Sequence, residues 1–304
     1  MQDYRITARQ LRVARRIHCG LRILPQPPWL ILTAVPAPTL PFTAALLACL
    51  LAGALPSAAA AGQRLVLANL SLPDSVWPSQ RDAVIELLQQ AQPSVIVVQD
   101  VVSHGAEGPT VCELARQMRM HCDFVSADPP RSLPRQGAVL MSALPLQEDG
   151  ASLLHGGAHT PAVAAGYLAM NLPSHRIAVY SASLAPGADQ LGNRVRQAAD
   201  LRRWMASHAP AQVTLVCARF ASSPSQLALL MPGFATARSK GGATASHGLD
   251  VLYRPTQARL VAATTLRLAT PSTPPVDGRW PAANAQEQLL GVLVELALPA
   301  TTQP

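Results

Sequence analysis

The chain has 304 residues, 49% of them hydrophobic and only 4% aromatic, with a formal net charge of +7. That length supplies ample core for one large domain. The charge argues against a nucleic-acid binder: six Arg and one acid precede residue 62, while the rest, with 18 basic and 16 acidic residues, is nearly neutral, and counterion-release binding needs clustered positive charge.

Residues 1–22 are rich in Arg and poor in acids, residues 40–55 are apolar throughout, and Pro56-Ser57-Ala58-Ala59-Ala60-Ala61-Gly62 has Ala-x-Ala spacing. This is the n-region, h-region and cleavage site of a secretory leader. The apolar run has the length of an h-region and is short for a spanning helix. The expected organisation is a leader over 1–61, a domain over 62–298 and a tail over 299–304. The mature protein is expected in the periplasm or outside the cell, with no membrane span once the leader is cleaved. The n-region is long, and no Met stands between Met1 and Met118. The start therefore reads as over-extended, which leaves residues 23–37 either untranslated or part of the leader.

Gln63 to Leu70 reads as the first strand of the body and carries Asn69 near its end. Ser79 as N-cap with Asp82 three residues on opens a helix; Val84, Ile85, Leu87, Leu88 and Ala91 recur at helical spacing, and Gln92-Pro93 closes it. Ser94 to Val101 is a buried strand ending in Gln99-Asp100. A second helix is expected over Thr110–Met120 and a strand over Cys122–Ser126. Export permits disulfides, and Cys112 and Cys122 bracket the second helix, so a bridge between them is expected with Cys217 left in the core. A straight nine-residue helix spans roughly 13 Å, so the chain must turn back after Met120 to bring the Cα atoms within ~7 Å. No Cys-x-x-Cys or Cys/His cluster speaks for structural zinc.

Gln136 to Leu146 reads as strand and turn, and Ala162–Met170 and Ile177–Leu184 as further strands. A helix from Asn193 to about Ser207 has Leu191, Val195, Ala198, Leu201 and Met205 on one face. Thr214 to Ala218 is a buried strand, followed by Arg219-Phe220-Ala221 and by a helix opening at Ser223-Pro224-Ser225. Leu249 to Tyr253 and Glu287 to Leu296 are strands, with a Pro-rich loop over 270–286 before the last one.

In order along the chain, these strand ends resemble the signatures of the endonuclease/exonuclease/phosphatase superfamily. Asn69 stands where that family has its first-strand Asn. Pro93-Ser-Val-Ile-Val-Val-Gln99-Asp100 resembles Pro-Asp-Val-x-x-x-Gln-Glu. Gln136-Gly-Ala-Val-Leu-Met-Ser142 resembles Gly-x-Ala-Ile-Leu-Ser-Arg, and Arg194-Val-Arg-Gln197 resembles Arg-x-x-Gln. Ala218-Arg219-Phe220-Ala221-Ser-Ser-Pro224 resembles Gly-Asp-Phe-Asn-x-x-Pro, and Gly248-Leu249-Asp250 resembles Arg-Ile-Asp. The resemblance covers about residues 64–298. It implies an α/β protein: a four-layered α/β/β/α sandwich of two mixed β-sheets flanked by helices. The family's chemistry is Mg²⁺-dependent phosphoester hydrolysis.

The scaffold letters of these signatures survive and most chemical letters do not. Ser183 replaces the His that contacts the reacting phosphate. Arg219 replaces the Asp that positions the attacking water, and Ala221 the Asn that holds a phosphoryl oxygen. Gln288-Leu289 replaces the Asp-His acid/base pair. Asn69, Asp100 and Asp250 are retained, Asp100 being one methylene short of the family's principal metal ligand, Glu. The resemblance therefore implies an impaired or lost hydrolase. Asn69, Asp100, Arg219, Asp250 and His247 are its ligand-binding candidates and Asp100 its metal candidate. No cofactor is expected, with Mg²⁺ required only for residual activity; a small phosphorylated or anionic molecule is the expected ligand. The alternative is a weak or altered Mg²⁺-dependent phosphodiesterase or phosphatase. A guanidinium stays protonated, so Arg219 is expected to repel a divalent ion and to pair with Asp100 or Asp250.

Overall fold

The computed structural model describes residues 63–73, 77–105, 108–237, 248–269 and 287–300, all within the second of two units, 1–56 and 57–304. The expected leader, the Pro-rich loop at 270–286 and His247 lie outside the described residues.

Alternating apolar residues build two sheets. Strands β1 (Arg64–Ser71), β2 (Val95–Ser103), β3 (His121–Ser126), β4 (Arg135–Ser142), β11 (Arg259–Ala269) and β12 (Glu287–Ala297) form the first, in the order β11-β12-β1-β2-β4-β3. The second has the order β5-β6-β7-β8-β10-β9, from β5 (Leu146–Leu154), β6 (Val163–Leu172), β7 (His175–Ser183), β8 (Val213–Arg219), β9 (Ala235–Ala237) and β10 (Leu249–Tyr253). Each sheet is mixed: β1 pairs parallel with β2 and β7 with β8, and the other ladders are antiparallel.

Each face of each sheet is buried, which gives four layers. Leu65, Leu67, Val95 and Val97 meet Ile177, Val179, Leu215 and Val251 between the sheets. The alternate residues Ala68, Leu70, Ile96 and Val98 pack outward on Trp77, Val84 and Leu88 of α1 (Trp77–Ala91) and Leu114 of α2 (Cys112–Met118). On the opposite side, Tyr180, Ala182 and Val216 cover Ala198 and Leu201 of α3 (Leu191–Ser207) and Leu227 and Leu230 of α4 (Pro224–Leu230). A fully buried Leu, Ile or Val contributes about 1.5–3 kcal/mol, so these three cores hold the layers together. The α/β/β/α sandwich of two mixed sheets is the architecture found.

Several boundaries differ from the sequence reading. Helix α1 begins at Trp77, so Ser79 lies inside its first turn; Trp77 is buried against the sheet, and Pro78 fits a first turn, where no intrahelical N–H is needed. Helix α2 is only Cys112–Met118. Arg119 closes it in the left-handed region (φ 55°), giving its N–H to the carbonyls of Ala115 and Arg116. That reversal, earlier than expected, brings the Cα atoms of Cys112 and Cys122 to 5.9 Å, and the two form a disulfide. In α3 the buried face is Arg194, Gln197, Ala198 and Leu201, whereas Val195 is exposed; Arg194, Ala198 and Leu201 are spaced i, i+4, i+7, and Val195 falls off that stripe. In α4 Ser223 forms a capping box with Gln226, while Leu229 is exposed. Strands β5, β9 and β11 had no counterpart in the sequence reading.

Candidate functional site

Toward the carboxyl ends of β1, β7 and β8, and midway along β2, the inward face changes from apolar to polar. In β1 the run is Leu65, Leu67, Asn69; in β2, Val95, Val97, Gln99; in β7, Ile177, Val179, Ser181, Ser183; in β8, Val213, Leu215, Cys217, Arg219. The period of two keeps each set on the face between the sheets. The polar ends of both sheets therefore converge in one place.

The floor of this region is closed. Asn69 is fully buried and donates from Nδ2 to the carbonyls of Ala218 (3.2 Å) and Asp250 (3.0 Å). Its Oδ1 is thereby turned to Gln99, whose Nε2 lies 3.3 Å away. The same Nε2 is 3.2 Å from both Ser181 Oγ and the Cys217 carbonyl. Because Asn69 Oδ1 and the Cys217 carbonyl can only accept, they fix which end of the Gln99 amide faces them. Gln99 Oε1 is left buried without a partner. Asn69 thus joins the first sheet to β8 and β10 of the second. Beside it, burial pushes the Cys217 thiol well above its ordinary range, so it stays neutral.

Above the floor, β2 does not end at Gln99-Asp100. Its ladder with β4 breaks between Val98 and Val101 and resumes through Ser103, and Asp100 takes a left-handed conformation (φ 58°). The break is a β-bulge, a device that re-aims a side chain. Its effect is that two successive residues, Gln99 and Asp100, line the same cleft. Arg219 reaches across from the other sheet, and its Nη1 is ion-paired with Asp100 Oδ2; Ser71 Oγ donates to the same oxygen at 3.3 Å. The Arg219 side chain is 37% exposed and that of Asp100 25%.

The cleft has a volume of about 480 Å³. Asp100, Ser183, Arg219 and Ala221 line it, as do Asp128 and Gln136, which sequence reasoning missed. Asp128 Oδ2 accepts from the Gln136 amide at 2.6 Å. Ser181, also missed, was recoverable from the alternation in β7, which sets it on the same face as Val179. Ala221 sits at φ 45°, an uncommon conformation for Ala. One rim is the loop after β7. Buried Arg194 donates from Nη1 to the carbonyls of Ala185 (3.2 Å) and Gly187, and Gln197 Oε1 accepts from the Ala185 amide at 2.9 Å. The Arg-x-x-Gln pair is therefore what fixes that rim.

Gln288 and Leu289 are not among the described residues lining the cleft. Gln288 Oε1 accepts from Gln80 of α1 at 3.0 Å, and Leu289 lies opposite Arg267 in the β11–β12 ladder. Asp250 is buried in β10, in register with Ala218.

Mg²⁺ needs several oxygen ligands in near-octahedral array. The residues present do not fit it. A guanidinium already holds Asp100, Asn69 is enclosed below the surface with its amide spent, and position 221 has no polar side chain. Among the described residues no three His, Cys, Asp or Glu side chains cluster.

No protein-family model and no curated protein sequence matches the chain. Solved structures do match. The human Nocturnin catalytic domain, solved with a bound sulfate anion, superposes with a TM-score of 0.59 at 15% identity, over 78% of this chain and 94% of that one. An endonuclease/exonuclease/phosphatase family protein from Bacteroides thetaiotaomicron gives 0.58 at 10% identity, over 79% and 99%. D. rerio TDP2 complexed with a single strand DNA product gives 0.54 at 9% identity, over 77% and 99%. At these identities the likeness is one of fold: the chain has the endonuclease/exonuclease/phosphatase fold.

Proposed function

We propose that this chain is an exported, non-hydrolytic protein on that fold, whose strand-end cleft binds a small phosphorylated or anionic molecule instead of cleaving a phosphoester. The Arg219–Asp100 ion pair carries the reading. Hydrolysis needs a base for the attacking water and positioned groups for the developing charge, each contributing ~10²–10⁴ in rate. Arg219 keeps its proton, and the side chains of Ala221 and Leu289 can neither move a proton nor donate a hydrogen bond. Arg219 is also exposed enough at the cleft to exchange the Asp100 carboxylate for a ligand oxyanion, a charge-assisted contact of the same kind. The anion in the Nocturnin structure is consistent with such a ligand.

Export rests on residues 40–62, and the Cys112–Cys122 disulfide supports it, since oxidising compartments sustain such bonds. Mass spectrometry of the mature protein should find an N-terminus near Gly62; a full-length cytosolic product refutes export.

The test of function measures Mg²⁺ binding, phosphodiesterase turnover and inorganic phosphate binding in the same samples. The wild type should show no metal-dependent turnover. Asp100→Asn should bind phosphate more tightly by releasing Arg219, and Arg219→Gln should lose that binding. Robust metal-dependent turnover by the wild type, abolished by Asp100→Ala, establishes the alternative, a weak Mg²⁺-dependent phosphodiesterase or phosphatase.

A further inference from the structure

A second cavity, of about 260 Å³, lies on the outer side of the second sheet, near the amino end of β8 and so far along that strand from Arg219. Its walls include Tyr180, Arg202, Met205, His208, Phe234 and Arg254. The frame is tied down. Arg254 heads a turn whose Gln257 and Ala258 amides bond to its carbonyl, and Gln257 Oε1 accepts from the Thr214 amide at 3.0 Å.

The described lining holds two guanidinium groups and no carboxylate. The Arg254 guanidinium stands over the Phe234 ring, 4.6 Å from its centroid. The carbonyl ends of α3 and α4 also approach here, and each brings only about half a negative charge. Those ends already have partners. The Trp204 carbonyl accepts from Ser207 Oγ (2.7 Å) and lies 3.0 Å from His208 Nδ1, and the Leu230 carbonyl accepts from Arg202. Capping thus takes one Arg202 N–H and none of Arg254, and positive charge is in excess.

Tyr180 adds a neutral donor. The Trp204 carbonyl can only accept, so the proton between it and His208 belongs to Nδ1. Tyr180 Oη, 3.2 Å from the same nitrogen, therefore receives there and keeps its own proton for another acceptor. The Tyr180 side chain is buried, and burial pushes its hydroxyl well above its ordinary range, so it does not ionise.

We infer that this cavity is a second ligand site, for a small organic carboxylate whose apolar body meets Phe234 and Met205 and whose oxygens meet Arg254 and the Tyr180 hydroxyl. A carboxylate suits the planar guanidinium fork. Apolar walls give carbon something to bury against, which a bare inorganic anion cannot use. The volume falls below the ~300–1,000 Å³ of sites for drug-sized ligands, so the ligand is small.

Isothermal titration of the 62–304 protein with benzoate, benzamide and inorganic phosphate tests this. Saturable benzoate binding is expected, weakened at least about tenfold in Arg254→Gln by loss of a charge-assisted contact. Benzamide, of the same shape without the charge, should bind at least about tenfold more weakly to the unmutated protein. Arg254 is an exposed turn residue that holds the turn through its backbone carbonyl, so the variant keeps its fold. Arg219→Gln, which disables the other cleft, should leave benzoate binding unchanged. No saturation, equal binding of benzamide, phosphate binding without benzoate binding, or dependence on Arg219 instead of Arg254 each overturns the inference.

Discussion

Arg219, the last residue of β8, is ion-paired with Asp100 in the bulge of β2, so the two sheets are bridged by opposite charges at the mouth of the cleft. More than a third of the Arg219 side chain is exposed, and pairs of this kind contribute only about 0–1 kcal/mol. A double-mutant cycle with Arg219→Leu and Asp100→Asn, measured by urea unfolding, should give a coupling within that range that shrinks as salt is added. A coupling of several kcal/mol, insensitive to salt, contradicts an exchangeable pair.

Ala221 keeps a left-handed backbone (φ 45°) at a position whose side chain has no compensating hydrogen bond. An L-residue other than Asn, Asp or Gly pays roughly 1–2 kcal/mol there. Ala221→Asn should therefore stabilise the protein by about 0.5–1 kcal/mol. The measurement is the shift in urea midpoint at unchanged m-value. A destabilised Asn variant refutes the strain argument.

Asn69 is a clamp between sheets. Replacing it with Ala takes a donor from the Ala218 and Asp250 carbonyls and an acceptor from Gln99, all in a buried setting. Unmet buried groups cost about 1–3 kcal/mol each, partly relieved by relaxation. Asn69→Ala should cost about 2–4 kcal/mol by urea unfolding. A change below about 0.5 kcal/mol, the size of an ordinary surface substitution, would mean the clamp does not hold the sheets.

The apolar alternation that makes the strands was legible in the sequence wherever a strand is buried on both faces, as in Val95–Val98 and Val213–Ala218. It failed at three of the four sheet edges, β5, β9 and β11. Strand β5 reads Leu-Gln-Glu-Asp-Gly-Ala-Ser, because an edge strand needs no continuous apolar face. The candidate residues Asp100, Ser183, Arg219 and Ala221 were legible because each ends or follows a readable strand. The β2 bulge was not, since it depends on where Val101 re-pairs with Gly137 on β4. The role of Asn69 was equally hidden: its partners are backbone carbonyls 149 and 181 residues away, and carbonyls carry no sequence signal.

Asp123 and Asp200 should respond to pH in opposite senses. Burial, then the charge of Asp149, hold the Asp123 carboxyl above its ordinary range. The folded state therefore binds this proton more tightly than the unfolded chain, and stability declines as pH rises from the ordinary carboxylate value through the raised one. For Asp200, burial works upward but is outweighed by hydrogen bonds from the His155 amide and the Arg203 side chain, which hold it low. Its contribution is present above the ordinary value and fades as pH falls. Asp123→Asn should thus be more stable than the wild type at pH 7, with the gain vanishing near the ordinary Asp value of about 3.9. A gain independent of pH would assign the effect to packing instead of charge.

The Cys112–Cys122 disulfide closes a short loop across α2 and into β3, with a sequence separation of 10. By the loop-entropy relation a ring of about 11 residues stabilises by about 3 kcal/mol, so the double variant Cys112→Ser/Cys122→Ser should unfold at correspondingly lower urea. Cys217 should behave differently. It is fully buried in β8, and burial holds it in the unreactive thiol form. The oxidised 62–304 protein should show no thiol reactive toward Ellman's reagent while folded and a single one when denatured without reductant. Three thiols under those conditions would remove the bridge. One thiol in the folded protein would show that Cys217 is reached from the cleft floor, where Gln99 donates to its carbonyl.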